Sequence, residues 1–327
     1  MIYVKYEKYN PEVTKYYLET IAMGIGGSDY KFFTEFDQII TTRDDVIVVS
    51  YAPDALKVLR KKYKKLIFWV QGVWPEESFM KHSSALRFFV TSMIERIALN
   101  KADFIFYVSS AMKEHYRSKY HFVPKQYYIM PCLNEQIHKD SFFTDNKYDD
   151  NVFCYAGATV NWQCFEETVA LYAKIEQEQQ YKNCKLLLFV KNKELAMRYI
   201  EKYQVKNYEI DFVTVEELPE KLKEVKFGFL LRQESPVNAV ATPTKMATYL
   251  SNGIIPIYSK ALSGMEDMLK NTKYTIALSD FQDIEAIEPY LNRKIDPQEI
   301  YEDYNELFAT VYNREQHIRT IRQVKEI

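Results

Sequence analysis

Hydrophobic positions along this chain fall into short apolar runs that alternate with amphipathic stretches repeating every three or four residues. The first run, DDVIVVSYAP (44–53), predicts a strand ending at Pro53, and DALKVLRKKY (54–63) a helix with Asp54 as its N-cap. KLIFWVQG (65–72) predicts a second strand and the stretch from about Ser83 to Asn100 a long helix. ADFIFYVS (102–109) is a third strand, SAMKEHYRSKY a helix capped by Ser109 or Ser110, and QYYIMPC (126–132) a fourth strand. A β-α-β-α order of this kind implies parallel strands joined by crossover helices.

The pattern then breaks. Residues 133–151 are polar and without periodicity, which predicts a linker. It restarts with strands at 151–158, 184–191, 224–232 and 254–259, separated by helices in 164–180, 192–203 and 242–253, and the stretch from about Ile284 is helical in pattern. Two domains are therefore expected, 1–135 and 151–304, with a C-terminal helix at about 305–327 packing back on the first. The expected fold class is α/β, two doubly wound Rossmann-like domains facing a cleft, and in open α/β sheets ligands bind at the carboxyl ends of the strands.

Composition narrows the function classes. At 327 residues, 47% hydrophobic and 27% charged, the chain is neither disordered nor collagen-like. Its 43 Lys and Arg against 45 Asp and Glu leave a net charge of −2, which argues against nucleic acid as a partner. The four cysteines, Cys132, Cys154, Cys164 and Cys184, form no CxxC pair and predict buried thiols in a reducing compartment. The N-terminus has no basic region followed by an apolar core, and no apolar run approaches 18 residues. The expected location is the cytoplasm. The 27 Tyr and 20 Phe against 8 Gly fit a tyrosine-rich proteome as well as a sugar-stacking role.

Candidate chemistry concentrates in 227–257. Thr242 before Pro243 predicts an N-cap followed by proline at the first helical position, and Gly253 a helix stop. A helix N-terminus that follows a strand and a loop gathers free amides and the positive end of the dipole, which suits an anion. Lys245 in the first turn is locally unfavourable by roughly 0.3–1 kcal/mol unless an anion lies between. Arg232 leaves the preceding strand toward the same place.

These residues carry a resemblance. Pro243-Thr244-Lys245, Tyr249-Leu250 and Gly253-Ile254-Ile255-Pro256-Ile257 look like the nucleotide-sugar helix of GT-B glycosyltransferases of the family-four type. Tyr155-Ala156-Gly157 with Trp162-Gln163 resembles the start of the C-terminal domain in bacterial capsule and O-antigen glycosyltransferases, and Ala102-Asp103 with Val108-Ser109 a strand of their N-terminal domain. The resemblance implies that Arg232 and Lys245 hold the donor diphosphate as the catalytic pair. It implies that Gly157 lets the backbone approach the donor phosphates, that 212–222, with Thr214, lies where the base binds, and that Asn238, Thr244 and Thr248 complete the donor-binding set. The donor would be a UDP- or GDP-sugar, with no metal and no further cofactor.

Two positions depart from the family pattern. Thr248 and Val240 stand where two glutamates with seven residues between them are usual, and Glu234 is the nearby acid. Asp44-Asp45 and Asp149-Asp150 predict turn residues rather than an Asp-x-Asp metal site, and His82, His115, His121, His138 and His317 are scattered. In Phe79–Lys101, Phe79, Met80, Phe88 and Phe89 interleave with Lys81, His82, Arg87 and Arg96. Such a helix suits an anionic membrane surface through 79–96; as an ordinary domain helix it would bury Phe89, Met93 and Ile97. Gln71 to Glu77 falls on the acceptor side, and Glu76 and Glu77 also suit a helix start. The expected activity is transfer of a sugar from a nucleoside-diphosphate sugar to a hydroxyl of a surface-polysaccharide or lipid-linked oligosaccharide acceptor, retaining and metal-independent. A catalytically silent partner subunit and a nucleotide-sugar epimerase are the alternatives.

Overall fold

The structure is a computed structural model that describes residues 1–7, 12–132, 135–178, 181, 183–291 and 293–324. The chain divides into two compact units. The first holds Met1–Asn134, Ala239–Thr242 and Tyr312–Ile327; the second holds Glu135–Asn238 and Pro243–Val311.

The strands of the first unit are β1 (Ile2–Lys5), β2 (Tyr30–Phe33), β3 (Val46–Val49), β4 (Lys65–Val70), β5 (Phe104–Tyr107) and β6 (Tyr127–Ile129). Its helices are α1 (Glu12–Gly26), α2 (Ala52–Val58), α3 (Trp74–His82), α4 (Ala85–Lys101) and α5 (Ser110–Tyr120). The sheet is parallel, in the order β2-β1-β3-β4-β5-β6. Continuous apolar runs are what a sheet covered on both faces requires, and in β5 all four residues are buried. The second unit has β7 (Asn151–Ala156), β8 (Cys184–Phe189), β9 (Tyr208–Asp211), β10 (Phe227–Leu230), β11 (Ile255–Ser259) and β12 (Ile276–Leu278). Its helices are α6 (Phe165–Gln177), α7 (Lys193–Tyr203), α8 (Leu218–Lys221), α9 (Pro236–Val240, whose last two residues fall in the first unit), α10 (Thr244–Ser251), α11 (Glu266–Leu269), α12 (Glu288–Leu291) and α13 (Pro297–Thr310). Its parallel sheet runs β12-β11-β10-β7-β8-β9, the Rossmann order, which reverses direction between β7 and β10. The last helix, α14 (Arg314–Gln323), returns to the first unit and packs on α1. The contact is close: a Cβ on Gly24 would meet Cγ2 of Ile321 at 2.6 Å.

Several expectations are revised. Asp54 sits inside the first turn of α2, whose N-cap is Tyr51, and pairs with Lys57 at 3.0 Å. The aromatic-basic stretch is two helices. Ser83 ends α3 in the left-handed region (φ 49°), and Ser84 caps α4 by accepting from the Arg87 amide. The stretch expected to be a linker is largely packed, although residues 133–134 lie outside the described residues. Ser141, Phe142, Lys147 and Tyr148 are buried, and the His138 amide donates to the Ser251 carbonyl at 2.8 Å. Its apolar residues lie in a single 3₁₀ turn and loops, so they show no period. The buried Lys147 ammonium donates to the carbonyls of Leu222, Lys223 and Asn252, where α8 and α10 end, and so satisfies their terminal acceptors.

Candidate functional site

In the second unit the switch point falls between β7 and β10, and the residues that follow each strand converge there. After β7 comes Gly157, at φ 142°, with its amide bonded to the Phe189 carbonyl. A Cβ on Gly157 would run into the side chain of Lys245, at 2.5 Å from Cε. The space that the missing side chain leaves is therefore filled by Lys245. The Lys245 ammonium donates to Gln163 Oε1 at 2.6 Å and stands 4.7 Å from the Tyr155 ring centre. Tyr155 in turn donates to the Ala158 carbonyl at 2.5 Å. After β10 comes Arg232, whose amide donates to Ser259 Oγ at 2.6 Å and whose guanidinium donates to the Leu231 carbonyl at 2.8 Å. The side chain is buried, at 7% exposure, not on the surface as a phosphate clamp on a rim would be.

α10 is oriented by Tyr249. Its hydroxyl donates to the Phe229 carbonyl at 3.2 Å and accepts from the Ala156 amide at 3.3 Å, tying the helix to β10 and β7. Gly228 is the counterpart, because a Cβ there would meet the Tyr249 ring at 2.7 Å. The helix begins one residue later than the sequence pattern predicts. Pro243 is the extended residue before it (φ −62°, ψ 132°), Thr244 is the first helical residue, and Thr242 instead accepts from the Cys132 amide at 3.4 Å. Gly253 closes the helix at φ 70° as expected.

The electrostatics follow from the burial. Withdrawal from water pushes the Lys245 ammonium down to about 7, and the Arg232 charge adds to the shift. Burial likewise lowers Arg232. Among the described residues neither cation is ion-paired with a carboxylate. Two like charges, partly desolvated and held together without a counter-ion, are stable only weakly alone and strongly with an anion.

The remaining expected residues divide. Thr248 donates to Glu135 Oε1 at 3.0 Å, so the carboxyl beside this position comes from Glu135 and not from Glu234, which is exposed. Burial raises the Glu135 carboxyl, and nothing in the local sequence around Thr248 signals it. Thr244 is exposed on the first turn of α10. Asn238 is buried and holds its own loop, donating to the Gln233 carbonyl at 2.8 Å. Thr214 is exposed and engaged in a local box with Glu217, its amide and hydroxyl each 3.0 Å from the carboxylate. The contacts therefore bring together Gly157 and Lys245, with Arg232 near enough to act on Lys245, and add Gln163 and Tyr155; they do not join Thr214 or Asn238 to this group. Val240 is buried, its carbonyl accepting from Ser109 Oγ at 2.7 Å. Asp45 accepts from the Thr42 amide and hydroxyl, as a turn residue does. Among the described residues no group of three His, Cys, Asp or Glu converges as a metal site.

No protein-family model matches the sequence, and no curated protein matches it. Solved structures do match. A mutant of S. aureus TarM in complex with fondaparinux, alpha-GlcNAc-glycerol and UDP has TM-score 0.60 at 9% identity, over 88% of this chain, which spans 57% of the TarM chain. The lipopolysaccharide outer core galactosyltransferase WaaB has TM-score 0.65 at 13% identity, over 97% of this chain and 98% of its own. A trehalose-6-phosphate protein from E. coli bound with UDP-2-fluoro glucose has TM-score 0.60 at 11% identity, over 87% of this chain and 74% of its own. The two parallel six-stranded sheets, the switch point in Rossmann order and these likenesses together show that the chain has the GT-B fold of glycosyltransferases.

Proposed function

We propose that the protein is a glycosyltransferase that takes a sugar from a UDP- or GDP-sugar and passes it to a hydroxyl of a surface-polysaccharide or lipid-linked glycan acceptor. The observation that carries this reading is the Lys245–Arg232 pair, desolvated and without a carboxylate, at the switch point beside the first turn of α10. A diphosphate is the ligand that neutralises it. As the sugar departs, negative charge grows on the diphosphate, and fixed cations and helix amides stabilise that charge, which is usually the largest catalytic term. The TarM structure contains UDP and the trehalose-6-phosphate structure a UDP-sugar, which supports the donor class. Retention of anomeric configuration and independence of metal belong to the same proposal. Lys245→Ala is expected to weaken UDP or GDP binding by roughly 1.5–3 kcal/mol, the range for a charged hydrogen bond, without loss of fold. Calorimetry on parent and variant checks it, and equal affinities would overturn the assignment.

The acceptor side of the proposal rests on α3 and α4. Thr91, Glu95, Ala98 and Leu99 of α4 are buried, whereas Leu86, Phe89, Val90, Met93 and Ile97 are exposed, at 41–75%. The apolar stripe of the helix thus faces outward, which corrects the expectation that Phe89, Met93 and Ile97 are core. Phe79 and Met80 of α3 are exposed too, at 45% and 46%, and Lys81, Arg87 and Arg96 stand among these residues in sequence. Apolar side chains with flanking cations suit the surface of an anionic membrane, where lipid-linked acceptors are met. Among the described residues no helix is long and apolar enough to cross a membrane. The protein is expected to sediment with anionic liposomes at low salt and be released at high salt. Lys81→Glu with Arg87→Glu should abolish sedimentation and leave nucleotide affinity unchanged; no sedimentation of the parent would remove the membrane from the proposal.

A further inference from the structure

Gln163 lies in the second unit, at the end of the short 3₁₀ turn Asn161–Gln163 between β7 and α6. Its backbone is fixed on both sides. Its amide donates to the Val160 carbonyl at 2.9 Å, and Cys164 after it takes the left-handed region (φ 50°) as the N-cap of α6. Phe165, Thr168 and Val169 then anchor α6 by burial. The turn therefore delivers the Gln163 side chain to a set place.

That place is the Lys245 ammonium. Gln163 Oε1 accepts from it at 2.6 Å, and the Tyr155 hydroxyl lies 3.2 Å from the same oxygen. Gly157 leaves the room for both side chains, since a Cβ there would stand 3.6 Å from Gln163 Oε1 and 2.5 Å from Lys245 Cε. The titratable groups that face Lys245 are Cys154 and Tyr155 of β7 and Arg232 after β10. Burial raises the Cys154 thiol and the Tyr155 hydroxyl, so both are neutral at neutral pH. Among the described residues the ammonium is therefore held by an amide oxygen and an aromatic face, and by no charge of opposite sign.

An amide and a carboxylate of the same length act differently here. A carboxylate at this distance would form an ion pair, satisfy the ammonium from within the protein and compete with an incoming anion. An amide oxygen fixes the direction of the ammonium and leaves its charge uncancelled. That arrangement costs stability in the empty protein and favours a ligand that brings negative charge. We infer that Gln163 is the positioning residue of the donor site: it aims the Lys245 ammonium at the diphosphate and, being uncharged, leaves that charge for the diphosphate to neutralise. The inference rests on the nucleotide-sugar reading and adds to it a residue that acts through Lys245.

The test compares the full chain with Gln163→Glu, which adds the charge at the same length, and Gln163→Met, which removes the acceptor at the same length. Two quantities are read. NMR on protein with isotope-labelled lysine follows the titration of Lys245, its signal assigned by loss in Lys245→Gln. Calorimetry gives UDP and GDP affinities across the same pH range. In Gln163→Glu the Lys245 midpoint is expected to rise from about 7 by roughly one unit or more, the effect of an opposite charge in contact. Nucleotide should then bind at least about tenfold more weakly at neutral pH, because the carboxylate competes with the diphosphate. The fall of affinity above neutral pH should disappear in that variant, because Lys245 keeps its proton throughout. In Gln163→Met the ammonium loses its fixed direction, and affinity should drop by about threefold or more while its fall with pH remains. Thermal melts identify the folded variants, and if Gln163→Glu does not fold, Gln163→Met decides alone. A residue that only packs would change the melting temperature and leave the Lys245 midpoint in place. An unmoved midpoint in folded Gln163→Glu, or parental affinity in folded Gln163→Met, would overturn the inference. A parent that binds neither UDP nor GDP sinks the donor reading itself, whereas parental binding that both variants retain sinks only the role of Gln163.

Discussion

At the scale of single residues, Lys245 sets the behaviour of the candidate site. Its ammonium is held at about 7, well below the 10.5 of a free lysine, by burial first and by Arg232 second. A lowered base penalises the folded protein while the unfolded chain holds the extra proton. The penalty is fully present below about pH 7 and is relieved as pH rises toward 10.5. Lys147, also held at about 7 by burial, acts in the same direction. Stability of the nucleotide-free protein is therefore expected to gain from these groups between pH 7 and 10, and Lys245→Gln to flatten part of that gain in thermal melts. Nucleotide affinity should move the opposite way. A bound diphosphate raises the lysine, so binding takes up a proton above pH 7, and affinity should fall by up to about tenfold per pH unit there. Calorimetry in buffers of different ionisation enthalpy checks the uptake, and pH-independent affinity from 7 to 9 would refute it. Lys245 stood out in the sequence because a cation in the first turn of a helix after a strand is locally unfavourable, and Arg232 because it leaves the preceding strand at its end. Gln163 and Glu135 were not assigned, because their partners Lys245 and Thr248 lie 82 and 113 residues away and nothing local marks the pairing.

At the scale of elements, most of the buried strands were legible from continuous apolar runs. β1, β2, β9 and β12, of three or four residues each, are too short or too mixed for such runs and escaped. α4 shows the limit of periodicity: the spacing of Leu86, Phe89, Val90, Met93 and Ile97 shows that one face is apolar, but the direction of that face is decided by what else packs. Here Thr91 and Glu95 turn inward, because Tyr116 and Tyr120 supply hydrogen bonds to Glu95. The contact of α1 with α14 gives a direct prediction. Gly24→Ala would raise helix propensity in an isolated helix, but the added methyl meets Ile321 at 2.6 Å. The variant is expected to lose roughly 1–3 kcal/mol of stability by overpacking, measured by urea unfolding. A variant as stable as the parent would show that α14 can give way.

At the scale of the whole molecule, the two-unit α/β plan and the parallel sheets were expected from the β-α alternation, a C-terminal helix on the first domain was expected as well, and α14 meets α1 across almost the whole length of the chain. Tyr128 also bonds His317 Nδ1 at 2.8 Å, and Arg314 bonds Thr20. That closure has a consequence for biosynthesis. Domains generally fold as units in the order in which the ribosome releases them, at about 5–20 residues per second. Here the first unit is begun first, yet its closing helix is translated after the entire second unit, on the order of ten seconds or more later at those rates. During that interval Gly24 of α1 lacks the Ile321 side chain that packs against it in the finished protein. The unit whose synthesis begins first, and not the one that carries the candidate site, is therefore the one that finishes last.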